Sequence, residues 1–103
     1  MFVAVLRRKT TVTKADEWEK RQAALSPRLD ALLARQPGFV SHDLRRDGDD
    51  GSMVEETAFD SADGVRAYLR GGAAAMAATM LDAFFPTAPY PNGNWLRETV
   101  ERA

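Results

Sequence analysis

The run FVSHDLRRDGDDGSMVEETAF, residues 39–59, constrains the fold more than any other stretch of the chain. Two β-forming segments, 39–46 and 53–59, flank a polar turn in which Gly48 and Gly51 supply the positive φ values that a tight hairpin needs. An antiparallel hairpin is predicted. Alternation along the first of its strands sets His42 on one face with Val40 and Leu44, and Asp43 on the other with Phe39 and Ser41. His42 and Asp43 are therefore no orienting pair. The same parity separates Glu55 from Glu56, leaving Glu56 with Val54 and Ala58. DGDDG reads as a turn and not a calcium loop, because Gly51 falls where a ligand belongs.

The flanking segments alternate in type. Residues 2–8, FVAVLRR, are short, apolar and rich in β-formers, which predicts a strand. Thr13 can cap a following helix whose first turn holds Asp16 and Glu17, and Trp18, Leu25, Leu29 and Leu32 draw one apolar stripe to a helix end near Arg35. Pro27 interrupts this stripe, with a kinked continuous helix favoured over a restart. Ser61 caps a short helix in which Val65, Tyr68 and Leu69 share a face, and Gly71-Gly72 ends or bends it. A further helical piece carries Met76, Ala77, Met80, Leu81 and Phe84 on one stripe and stops at Pro86. After the loop PTAPYPNGN, WLRETV predicts a last strand. The order is β-α-β-β-α-β with the second helix broken, an α+β ferredoxin-like pattern with an antiparallel sheet, forming one domain over 1–103.

Composition excludes several classes of function. A chain of 103 residues that is 45% hydrophobic and 28% charged has the balance of a globular domain. With a formal net charge of -1 and interspersed signs it offers no basic face for a nucleic acid. No apolar run approaches the roughly 18–20 residues of a membrane span, and the apolar start precedes its charges and is too short for a signal segment, so a cytoplasmic protein is expected. The absence of cysteine removes disulfides, thiolate nucleophiles and thiolate-bound metals. A single histidine removes any two-histidine metal site within one subunit, and no metal or other cofactor is expected.

His42 is the candidate of most chemical interest. It reads either as a buried imidazole with one hydrogen bond or as a general base in an apolar pocket. Arg97, on the last strand two residues after Trp95, reads as a holder of a substrate oxyanion or as an ordinary ion-pair partner. Tyr90, Trp95, Met76, Met80 and Phe84 are candidates to line the same pocket, although the methionine and phenylalanine stripe has the spacing of any buried helix face.

A first strand, a long helix closed by QPGF, the strand FVSHDLRR, a polar hairpin and then VEETAFDSADGVRAYL together resemble the antibiotic biosynthesis monooxygenase family of dimeric α/β barrels, from Phe2 to about Val100. The resemblance implies a homodimer in which two ferredoxin-like sheets pack across a two-fold axis, with an apolar cavity between sheet and helices in each subunit. It also implies oxidation of an aromatic or polyketide-like molecule by molecular oxygen without metal or flavin, or a related cyclisation or isomerisation. Phe59 stands where the family often has tryptophan, and with Tyr68 it joins the candidate substrate-binding residues. The haem-degrading branch uses an asparagine on the first strand and a histidine on the second helix. FVAVLRR has no asparagine and the second helix offers Tyr68 and Leu69, which argues against haem degradation. The competing expectation is a dimeric, non-catalytic module that binds a small ligand or another protein.

Overall fold

The structure, a computed structural model, describes residues 1–89 and the backbone of 96–101. Its elements run β1 (Phe2–Lys9), α1 (Ala15–Leu33), β2 (Phe39–Arg46), β3 (Ser52–Phe59), α2 (Ala62–Arg70), α3 (Gly72–Phe84) and β4 (Leu96–Glu101). The strands form one antiparallel sheet in the order β2-β3-β1-β4, the ferredoxin-like arrangement. Ala4, Leu6, Leu44, Met53 and Phe59 meet Leu25, Leu29, Leu33, Val65, Tyr68 and Leu81 in the main core between sheet and helices. Val3, Val5, Val54 and Ala58 form a separate cluster, and all four are buried within the single chain. Among the described residues no helix is long and apolar enough to cross a membrane.

Local chemistry explains most of the boundaries. The hairpin turn closes with Asp47 N–H donating to Ser52 O at 2.9 Å, and Gly48 and Gly51 take φ values of 103° and 91°. Gly51 is doubly constrained, because a Cβ there would collide with the carbonyl oxygen of Thr10. Asp50 accepts from Ser52 N–H at 3.0 Å and pairs with Lys9 at 3.1 Å, and these bonds pull its carboxyl down to about 2. Ser61 Oγ accepts from Gly64 N–H at 3.0 Å and caps α2 as expected. Helix α1 runs through Pro27 without a break. Thr13 does not cap it: Lys14 occupies the cap position with no side-chain bond, and the Thr13 carbonyl instead accepts from Arg46 Nη2 at 3.1 Å.

A β-bulge corrects the predicted parity of β2. Phe39 pairs with Phe59 but Ser41 pairs with Ala58, so Val40 is an extra residue and the alternation resets across it. Phe39 thus shares the helix-facing side with Leu44 and packs edge-on against Phe59, their ring centroids 6.3 Å apart. Val40, expected beside His42, is exposed.

The alanine-rich α3 also departs from expectation. Its buried stripe is Ala74, Ala77 and Leu81, with Met80 and Phe84 half-buried and Met76 exposed. Small side chains let this helix lie close to its neighbours, and the longer methionine at 76 turns outward.

Candidate active site

Three side chains on three different elements converge beneath α1. The hairpin register pairs His42 with Thr57 and Leu44 with Glu55, so Glu55 is the diagonal neighbour of His42 on the helix-facing side. His42 Nε2 lies 2.9 Å from Glu55 Oε2, and each side chain is only 8% exposed. An ionised carboxylate can only accept, so with Glu55 charged it is Nε2–H that donates. On the other side of the ring, Nδ1 lies 4.0 Å from Oδ1 of Asp30, an α1 residue whose side chain is exposed. Gln22 Nε2 donates to Leu44 O at 2.6 Å and fixes α1 over this part of β2.

Glu55 also reaches a small cavity. The space, about 20 Å³, lies between sheet and helices and is lined by Ala4, Leu6, Thr57, Tyr68, Leu69, Ala74 and Ala78 together with Glu55. A volume of this size holds roughly one water molecule. Its walls come from β1, β3, the end of α2 and the start of α3, so it sits under the joint at Gly71-Gly72. His42 does not line it.

Among the described residues Arg8 supplies a buried positive charge. It is 4% exposed and donates to Phe85 O at 2.5 Å and to Thr87 Oγ1 at 2.6 Å, and it pairs with Asp82 at 2.9 Å. Burial lowers its pKa, while Asp82 and, more weakly, the charge of Glu55 oppose that shift.

The remaining expected site residues fall in several places. Phe59 is fully buried and packs against Tyr68 at 5.2 Å between ring centroids, and Tyr68 lines the cavity. Met80 and Met76 border a shallow surface groove of about 300 Å³ with Ala75 and Thr79, away from Glu55. Phe84 lies under the guanidinium of Arg28, 6.0 Å from its ring centroid. Arg97 stands opposite Leu6 in the β1–β4 register. Tyr90 and Trp95 lie outside the described residues. Asp43 is turned away from His42, as expected, and pairs with Arg45 at 2.8 Å. Sequence reasoning missed Glu55 as the partner of His42, yet the signal was there: pairing Arg46 with Met53 across the turn brings 42 and 55 to one face. Among the described residues no group of three or more potential metal ligands is assembled.

This architecture has close counterparts among solved structures. SnoaB, a cofactor-independent oxygenase from Streptomyces nogalater, matches with 27% identity over 99% of this chain and 93% of its own, at a TM-score of 0.61. In fold, the chain resembles the antibiotic biosynthesis monooxygenases. An antibiotic biosynthesis monooxygenase matches over 100% of this chain and 99% of its own at 12% identity, with a TM-score of 0.61. A dimeric protein of unknown function with a ferredoxin-like fold, from Bacteroides fragilis NCTC 9343, covers 98% and 96% at 14% identity and a TM-score of 0.60. No protein-family model matches the sequence, and no curated protein matches it. The likeness to antibiotic biosynthesis monooxygenases therefore rests on shape, with SnoaB adding the highest identity of these three.

Proposed function

We propose that the protein is a small cofactor-independent oxygenase acting on an aromatic or polyketide-like molecule, with Glu55 as the base. The observation that carries this reading is a buried carboxylate facing the space between sheet and helices, held in orientation by the single imidazole of the chain at 2.9 Å. Such a base removes a proton from an acidic phenol or benzylic CH₂, and the electron-rich anion then reduces oxygen itself. In the overall reaction a CH₂ becomes C=O, one oxygen atom entering the product and the other leaving as water. The protein's part is to deprotonate, orient and exclude water. Arg97 is the proposed partner for the oxyanion, and Tyr68 and Phe59 are the proposed contacts for an aromatic ring. The likeness to SnoaB supports the choice of reaction class.

A cavity of about 20 Å³ does not admit a ring system, so on this reading the space between sheet and helices widens when substrate enters. The cavity's size also favours the second reading, a non-catalytic module. Oxygen uptake by purified, chelator-treated protein with a panel of anthrones separates the two: uptake above the spontaneous rate is expected, and none across the panel would favour the module.

We further propose a homodimer, on the likeness to the dimeric Bacteroides fragilis protein. An apolar second sheet face left open for a partner would be a further argument, but Val3, Val5, Val54 and Ala58 are already buried in one chain. A cytoplasmic location is proposed on composition alone.

A further inference from the structure

We propose that the Thr57 hydroxyl forms an oxygen-binding subsite in the cavity, where it donates a hydrogen bond to a ketone or phenol oxygen of the bound ring. The inference rests on the oxygenase reading and deepens it, naming the part of the substrate that lies across the ring from the reacting carbon. Thr57 is 1% exposed and lines the cavity together with Glu55. Its partners across the sheet are His42 on β2 and Ala4 on β1. The hydroxyl makes no hydrogen bond to another of the described residues. A buried hydroxyl that bonds to nothing is costly, and valine would fill the same volume at this place without that cost. The cost is offset where the hydroxyl meets an oxygen atom in the cavity, and a space of about 20 Å³ has room for roughly one. Water fills that role in the free protein, and the substrate oxygen takes its place.

The order of residues along one face of β3 supplies the chemistry. Glu55, Thr57 and Phe59 follow one another on the helix-facing side, each about 7 Å from the next. A carboxyl group, a hydroxyl donor and an aromatic wall thus stand in a row. The interval between the first two matches one six-membered ring that carries a CH₂ at one position and a ketone oxygen across from it, as in anthrone. When the CH₂ gives its proton to Glu55, the electron pair of the broken C–H bond spreads through the ring to the ketone oxygen. Thr57 donates to the atom on which that charge develops. The proton rests on the carboxyl group, both electrons stay on the substrate, and nothing in the protein is oxidised or reduced. Arg97 holds the register position opposite Leu6, which itself pairs with Glu55, whereas Thr57 belongs to the next row with Ala4.

Thr57→Val removes the hydroxyl at nearly constant volume, and Thr57→Ser keeps it. Both are compared with the wild type by binding of anthraquinone, followed through quenching of tryptophan fluorescence, and by steady-state oxygen uptake on anthrone. Thr57→Val is expected to bind the quinone roughly 3–10-fold more weakly. Its kcat is expected to fall on the order of 10²-fold with a smaller change in KM. Thr57→Ser should stay close to the wild type in both assays. A residue that only packs would give the reverse order, the serine variant losing more than the valine one. Thr57→Ala repeats the comparison if thermal melting shows that the valine variant does not fold. Quinone affinity and uptake at the wild-type level in Thr57→Val overturn the subsite and leave the oxygenase reading in place. Affinity that depends on the hydroxyl, without oxygen uptake by the wild type, overturns the oxygenase reading and leaves the subsite standing. Neither binding nor uptake by the wild type overturns both.

Discussion

His42 and Glu55, thirteen residues apart in the chain, meet at 2.9 Å on the helix-facing side of the β2–β3 hairpin. Both side chains are buried there, so removal of either leaves a polar atom in an apolar layer without its partner. His42→Ala is expected to cost about 1–3 kcal/mol of stability, as is Glu55→Ala. The double variant should lose less than the sum of the two. Denaturant unfolding of the four proteins checks this, and strict additivity would mean that the bond contributes nothing.

The bulge at Val40 makes that meeting possible. It lets Phe39 face the helices near Phe59 and, two residues after the reset, aims His42 at the same side. Deletion of Val40 removes the extra residue and leaves Phe39 and Ser41 adjacent, opposite Phe59 and Ala58, so regular alternation keeps both Phe39 and His42 on the helix-facing side. The deletion variant is expected to fold with a loss of no more than about 2 kcal/mol, and Val40→Thr, exposed in the structure, should change stability by less than about 0.5 kcal/mol. Thermal melting of both proteins distinguishes the backbone effect from the side-chain effect.

Arg8 ties the end of α3 to the edge of the core through Phe85 O, Thr87 Oγ1 and Asp82. Arg8→Met keeps much of the apolar stem and removes the bonds, leaving the buried carbonyl of Phe85 without this donor. A loss of about 1–3 kcal/mol is expected in chemical denaturation. Stability equal to the wild type would show that the guanidinium's burial cancels the worth of its bonds.

The turn gives a pH signature. Bonds from Ser52 and Lys9 pull the carboxyl of Asp50 from its ordinary 3.8 to about 2 in the folded chain. A group whose folded pKa is depressed contributes stability that is present above its unfolded value and is lost as pH falls through the folded one. The contribution of Asp50 should therefore fade between about pH 4 and pH 2. Melting temperatures of the wild type and Asp50→Asn should converge across that interval, and a constant gap would contradict the assignment.

Much of the fold was legible because local chemistry and tertiary fit agree. The glycines of the hairpin turn, the Ser61 cap and the Gly71-Gly72 break sit where the sequence places them, and the strand order follows from the element order. The bulge was not legible, because nothing in FVSHDLRR announces an extra residue; it is selected by the fit of Phe39 and His42 against the helices. The burial of Arg8 was hidden for a related reason, its partners lying 74 to 79 residues away. At the site, His42 was visible as the only imidazole, but its partner required the hairpin register as well as strand parity. Met76 was grouped with Met80 and Phe84 as a candidate pocket residue by spacing alone, whereas the stripe that α3 buries is Ala74, Ala77 and Leu81, which leaves Met76 exposed.

The central claim is that the Glu55 carboxylate removes the proton that commits the substrate to oxygen, and Glu55→Gln tests it most directly. The amide keeps the size of the side chain and a bond to His42 while abolishing the base. Oxygen-electrode traces with anthrone, recorded beside thermal melts of the same samples, should show uptake reduced by roughly 10²–10⁴-fold in a variant that melts close to the wild type. Uptake by Glu55→Gln at the wild-type rate would contradict the account.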